Sequence, residues 1–180
     1  MAGKCCPSCG KFTLFNVNGV RICSKCGYSA DKGDSMSKKL TLLIKQVVPD
    51  IPIPEKIKIG DWIDLYVSED VELKQFDFKY IPLGVCIKLP EGYEAILAPR
   101  SSTFERWGVL QANSIGIFDE TFCGNNDMWR FPAVALHDTV IPKGTRICQF
   151  RILKHMKEVK FVEVQTMPDK DRGGWGSTGR

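Results

Sequence analysis

The chain has 180 residues, of which 43% are hydrophobic and 26% charged, the balance of a globular protein. That composition excludes a disordered tract, a collagen-like chain and a coiled coil, and no apolar run is long enough to cross a bilayer. Charge is uneven: residues 1–39 hold seven Lys/Arg against two Asp/Glu, so the net +4 sits in the N-terminal fifth. A basic segment of this kind is either a solvated arm or a contact for nucleic acid or another polyanion. The first residues, Met1 to Pro7, lack the apolar core of a signal peptide, and a cytoplasmic location is expected.

Eight cysteines stand in the chain. Four form two pairs, Cys6-Pro-Ser-Cys9 and Cys23-Ser-Lys-Cys26, with 13 residues between them. In a reducing compartment two such pairs argue for a metal rather than for disulfides. Four thiolates at this spacing close a tetrahedron around Zn2+ and leave no open position for catalysis. A glycine follows each pair (Gly10, Gly27), where it lets backbone amides turn toward the sulfurs. The stretch Lys11 to Ile22, with Asn18-Gly19 at its turn, reads as a hairpin. Residues 1–30 thus resemble a zinc ribbon, too small to bury a core, whose folding energy comes from its metal. Cys5 competes with Cys6 as a ligand, but Cys6 gives the better frame. If the metal is structural only, Cys9→Ala is expected to lose it without loss of any catalysis elsewhere. A partner contact and a purely structural or oligomer-supporting role both remain open for this unit.

Residues 31–39 are polar and read as a linker. From Leu40 the chain reads as short strands. Lys56 to Ile59 alternates, as do the residues around Ile63, Leu65 and Val67, Tyr93 to Leu97, Arg146 to Ile152, and Val162 to Gln165. Pro and Gly punctuate them, and Ser101 to Trp107 is the one short helix expected. Many short strands between frequent turns predict an all-β barrel or jelly roll over residues 40–166. From 167 to 180 periodicity stops, and four glycines between Gly173 and Gly179 make a flexible C-terminal arm.

Five stretches carry candidate chemistry. Gly60-Asp61-Trp62-Ile63-Asp64 offers two carboxylates for metal-coordinated water, or ordinary turn Asp residues. Pro99-Arg100-Ser101-Ser102 offers a guanidinium fork and hydroxyls to phosphate, or a plain turn into a helix. Asn113 to Gly124 suggests a hairpin whose backbone approaches something closely, with Asp119 as a general base or a turn residue. In Pro142 to Phe150, Lys143-Gly144 makes a tight turn and Gln149 points at a ligand or at solvent. The tail Arg172-Gly-Gly-Trp175-Gly176-Ser177-Thr178-Gly179 combines a phosphate-wrapping backbone with a stacking ring.

In this order, the five stretches resemble the five motifs of the trimeric dUTP diphosphatases (dUTPases), over about residues 40 to 180. Trp62 to Leu65 and Asn126 to Trp129 look most like the form found in phages and Gram-positive bacteria. The resemblance implies a jelly-roll homotrimer with sites between subunits. It also implies hydrolysis of dUTP to dUMP and pyrophosphate with Mg2+, which keeps uracil out of DNA and supplies dUMP for thymidylate synthesis. It assigns Asp119 as the base that activates water. It assigns Asn113 with Gly116 and Ile117 to the uracil edge, and Arg100, Ser101, Ser102 and Gln149 to phosphate. Asp64 falls near the metal's water shell, and Gly176, Ser177 and Thr178 at the γ-phosphate. The sequence departs from the family where Phe122 stands for a Tyr that packs on deoxyribose and where Trp175 stands for a tail Phe. Arg172 also lies nearer that aromatic than usual, with Lys170 as its substitute.

Two other readings are carried. The dCTP deaminases share the fold but need a catalytic Glu, for which Glu120 is the only candidate beside Asp119. A regulatory protein would use the ribbon to bind nucleic acid or a partner, with nucleotide as its switch.

Overall fold

A computed structural model describes residues 5–17, 20–30 and 40–173. The Asn18-Gly19 turn, the 31–39 linker and the tail residues Trp175, Gly176, Ser177 and Thr178 lie outside the described residues. Within them are fourteen strands and one helix. The first three strands, β1 (Leu14–Val17), β2 (Val20–Cys23) and β3 (Ser29–Ala30), form a small sheet of their own. Then follow β4 (Leu43–Gln46), β5 (Ile63–Tyr66), β6 (Val71–Leu73), β7 (Phe78–Pro82), β8 (Val85–Lys88) and β9 (Tyr93–Pro99). After α1 (Thr103–Trp107) come β10 (Val109–Gln111), β11 (Gly116–Phe118), β12 (Arg130–Ala135), β13 (Thr139–Ile141) and β14 (Arg146–Lys154). No described helix is long and apolar enough to cross a membrane.

Two larger sheets hold the core. One runs β11-β9-β14-β5 and the other β10-β12-β7, and two strand pairs, β4-β8 and β13-β6, complete the wall. These strands all pair antiparallel. Alternation explains the core: Ala95 and Leu97 on β9 and Cys148 and Phe150 on β14 turn inward to meet Phe131, Ala133 and Ala135 of β12. Period-two burial of this kind is the signature of a sheet covered on one face. The all-β expectation is borne out.

Four local expectations change. Residues 56–59 alternate but form no strand, and Ile57 and Ile59 stand exposed. Val162 to Gln165 likewise runs unpaired and exposed. Alternation gives a strand only where a partner edge lies within reach, and neither segment finds one among the described residues. The stretch 113–124 is not a two-stranded hairpin, because β10 pairs with β12 while β11 pairs with β9. The helix starts at Thr103, two residues later than expected, because Ser101 and Ser102 form the turn that leads into it.

Trp129 is the largest fully buried side chain. It stacks on Phe118 with centroids 4.0 Å apart and planes 3° from parallel, and it meets Phe150 edge-on at 5.2 Å. Replacement Trp129→Ala is expected to destabilise the chain by about 3–5 kcal/mol, read as a lower urea midpoint at unchanged slope.

Candidate active site and cysteine centre

The sheet β11-β9-β14-β5 positions most of the residues singled out above. Gln149 sits mid-sheet, opposite Asp64 on β5 and Ala98 on β9. Its Nε2 donates to the Pro99 carbonyl at 3.2 Å. Asp64 is gripped from two sides: Arg100 Nε lies 2.9 Å from Oδ1, and Arg146 NH1 lies 3.2 Å from Oδ2. Two guanidiniums against one carboxylate leave positive charge in excess at this edge, which suits an anion. Arg146, read in the sequence as part of the strand before Gln149, was given no role at the site.

Ser101 and Ser102 occupy the turn between β9 and α1. Ser102 is the N-cap yet makes no side-chain cap bond, so its hydroxyl is uncommitted. Thr103 fastens this turn. Its hydroxyl donates to the Ile147 carbonyl at 2.6 Å and accepts from the Arg100 amide at 3.0 Å. It is buried, and sequence reasoning passed over it.

The opposite edge of the same sheet carries the second group. An open groove of about 370 Å³ is lined by Asn113, Gly116, Ile117, Phe118 and Phe122, with Tyr80, Asp127, Met128 and Arg130 across from them. Gln111 is nearly buried, and its Nε2 donates to Asn113 Oδ1 at 3.0 Å and to the Leu97 carbonyl at 3.3 Å. It thus holds the Asn113 amide in place from behind. Gly116 is a glycine because a Cβ there would lie 3.0 Å from the Leu97 Cβ. The close approach read from the sequence is therefore to the core strand β9. Phe122 leans on Phe118 with centroids 5.9 Å apart, and Phe118 in turn lies on Trp129.

Asp119 stands on the loop between Phe118 and Phe122, exposed to solvent. Its Oδ1 accepts from the Thr121 hydroxyl and from the Thr121 amide at 2.7 Å. These bonds, with His155 nearby, hold its carboxyl below the usual carboxylate range, so it is ionised at neutral pH. The Asp-Glu-Thr spacing was the available signal, since Asp and Thr two apart favour this local bonding. Glu120 turns away from the groove, and its carboxylate accepts the Gly92 amide. β11 and β5 are opposite edges of the sheet, three strand spacings or roughly 14 Å apart. Among the described residues no hydrogen bond or ion pair joins the Asp119 group to the Asp64 group. Arg172 is exposed.

The cysteine centre lies apart from these groups. The sulfurs of Cys6, Cys9, Cys23 and Cys26 all fall within 4.8 Å of one another. Cys6 and Cys26 are 3.6 Å apart, and Cys9 and Cys23 are 3.7 Å apart. Sulfurs at the corners of a tetrahedron of Zn–S bonds would be separated by about 3.8 Å. The cluster can therefore hold a metal ion. Gly10 and Gly27 both adopt positive φ, +68° and +67°, which closes each loop around its sulfurs. Burial pushes the Cys26 thiol up to about 12, while Cys23, also raised by burial, is drawn down to about 6 by the Thr13 hydroxyl and neighbouring amides. Cys5 lies outside the cluster, with its thiol toward the Gly10 carbonyl.

A family model described as dUTPase matches residues 60–179. The chain is 57% identical over 124 residues to the SPbeta prophage-derived deoxyuridine 5'-triphosphate nucleotidohydrolase YosS of Bacillus subtilis, covering 69% of this chain and 87% of that protein. It is 35% identical to the deoxyuridine 5'-triphosphate nucleotidohydrolase of Streptomyces avermitilis, over 78% of this chain and 81% of that one. In fold it resembles the Staphylococcus bacteriophage 80alpha dUTPase with dUPNHPP, at a TM-score of 0.66 and 22% identity, over 79% of this chain and all of that one. The cysteine centre precedes the matched residues. With a match over residues 60–179 and a relative at 57% identity, the chain belongs to the dUTPase family.

Proposed function

We propose that this chain hydrolyses dUTP to dUMP and pyrophosphate, with Asp119 as the general base that activates the attacking water. The observation that carries this reading is the ionised carboxylate on the loop between two aromatic walls of a nucleoside-sized groove. Asn113, held by Gln111, and the backbone of Gly116 and Ile117 read the uracil edge. A base with the wrong donor would leave these groups unpaired, at about 1–3 kcal/mol each. Phe122 packs on the deoxyribose where a 2′-hydroxyl would otherwise fit. Arg100, Ser101, Ser102 and Gln149 take the phosphates, and Arg172, Trp175, Gly176, Ser177 and Thr178 close over them. Phosphoryl transfer of this kind asks the protein for alignment and charge more than for covalent chemistry.

Mg2+ fits this donor set as a companion of the triphosphate. Asp64 is already bound by two guanidiniums and suits the metal's water shell better than direct ligation. When bound, Mg2+ neutralises charge on the phosphate oxygens. Zn2+ is the metal we assign to Cys6, Cys9, Cys23 and Cys26.

The reading extends to a homotrimer with sites shared between chains. The segment after β14 exposes Met156, Val159, Phe161, Val162 and Val164. Apolar exposure on that scale asks for a neighbour. The deaminase reading loses its base, because the Glu120 carboxylate is committed to Gly92. Among the described residues of the basic segment, Lys25 is paired with Glu91 at 2.7 Å.

Turnover of dUTP, dCTP, dTTP and UTP with Mg2+ tests the assignment, and pyrophosphate from dUTP alone is expected. Asp119→Asn is expected to lower kcat by roughly 10²- to 10⁴-fold while nucleotide binding persists. Ammonia from dCTP, or full activity of the variant, would overturn the reading. Phe122→Ala is expected to shrink the preference in kcat/KM for dUTP over UTP by about tenfold or more. An unchanged preference would remove Phe122 from sugar recognition.

A further inference from the structure

The cysteine centre is not a free appendage. Its second loop, Cys23 to Tyr28, is closed by the Cys23 amide on the Tyr28 carbonyl at 2.7 Å and by the Gly27 amide on the Cys23 carbonyl at 3.0 Å. This loop rests on the turn between β8 and β9. The Glu91 amide donates to the Lys25 carbonyl at 3.0 Å, and Lys25 Nζ lies 2.7 Å from the Glu91 carboxylate. The Thr41 amide donates to the Gly27 carbonyl at 3.1 Å. Gly27 is buried, and a Cβ on it would lie 3.0 Å from Pro90 Cγ, so the two turns touch with no spare space.

The same turn faces the catalytic loop on its other side. The Gly92 amide donates to the Glu120 carboxylate, the residue next to Asp119. The Gly92 carbonyl accepts the His155 amide at 2.9 Å, and the Tyr93 amide closes the turn on Pro90 at 3.2 Å. Register explains the meeting. Phe118 is the last paired residue of β11, opposite Ala95, so the chain beyond it runs past the start of β9 and brings Glu120 to Gly92. Glu120 is thus fixed by Gly92, the neighbour of the Glu91 that the cysteine loop holds.

We propose that the metal-bound Cys23–Cys26 loop positions Asp119, through the Pro90–Gly92 turn and the Glu120 carboxylate. Glu120 is a positioning residue in this scheme, acting on Asp119 through the short loop they share. The proposal rests on the dUTPase reading and on zinc in the cysteine centre. It replaces the expectation that the metal and the hydrolysis are separable. Loss of zinc would free the Lys25–Gly27 backbone, and with it one of the two supports of the Gly92 turn. The groove and the phosphate group have their own supports in β9 and β14, so nucleotide binding would be largely spared.

The test uses the full chain, with zinc content measured first and hydrogen exchange followed by peptide with and without zinc chelation. Chelation is expected to speed exchange at 23–28, at 90–93 and at 117–123, and to leave the 130–150 core unchanged. Alongside, Glu120→Ala is expected to lower kcat for dUTP roughly tenfold with KM within about twofold, because a displaced base harms the chemical step more than binding. Glu120→Gln keeps an acceptor for Gly92 and is expected to recover most of kcat. A merely structural Glu120 would not give that split or that recovery. Exchange that speeds only within residues 5–30, a Glu120→Ala variant with unaltered kcat, or a chain that neither holds nor takes up zinc would each overturn the proposal. Absence of dUTP turnover in the unmodified chain would strike the functional reading, while exchange at 117–123 would still decide the coupling.

Discussion

The site depends on one strand, β14, and on its register. It is paired with β9 along seven residues and with β5 along four. Side chains alternate along a strand, so Cys148, opposite Leu65 and Pro99, falls into the core while Gln149 falls outward between Asp64 and Ala98. A slip of one residue would exchange these two. It would bury an amide without partners and put a thiol on the outer face, where phosphate is proposed to bind. Burial raises the Cys148 thiol well above its usual value, so it stays a neutral, small apolar filler. Thr103 adds the last constraint, since its bonds to Ile147 and Arg100 tie the arginine turn to the same strand.

β14 also reaches the other group of site residues, by packing rather than pairing. Phe150 meets Trp129, Trp129 stacks on Phe118, and Phe118 touches Phe122 at the groove. Such contacts each contribute about 0.5–1.5 kcal/mol beyond burial, and they fix ring planes as well as depth. The column offsets a cost, because the Trp129 Nε1 is buried without a partner. An unsatisfied donor at that depth costs about 1–3 kcal/mol. The wall proposed to face the nucleoside therefore inherits its position from the core.

The sequence made the larger part of this arrangement legible, for reasons that differ by element. The cysteine frame was clear because metal geometry demands short, repeated spacing, and the four sulfurs do converge. β9 and β14 were clear because each has one face in the core. Asp119, Asn113, Arg100 and Gln149 stood out as polar residues between turn signals, and ordered motifs lent them meaning. Gln111, Thr103 and Arg146 were missed because their roles come from contacts far along the chain. Thr103 meets Ile147, and Arg146 meets Asp64. No local period records such pairs. The reach of Glu120 to Gly92 was hidden for the same reason: it follows from where β11 stops pairing with β9.

Residues 156–167 show the limit most plainly. Their alternation is real, with Val162 and Val164 both exposed, yet no described strand lies beside them. A strand pattern states that a partner edge exists, and it does not say in which chain. In a homotrimer that edge would belong to a neighbour. Such an exchange would also bring chains together where β11 and β5 each have one unpaired side. Under the proposed trimer, one association step would cover both the exposed apolar side chains of this segment and those strand edges.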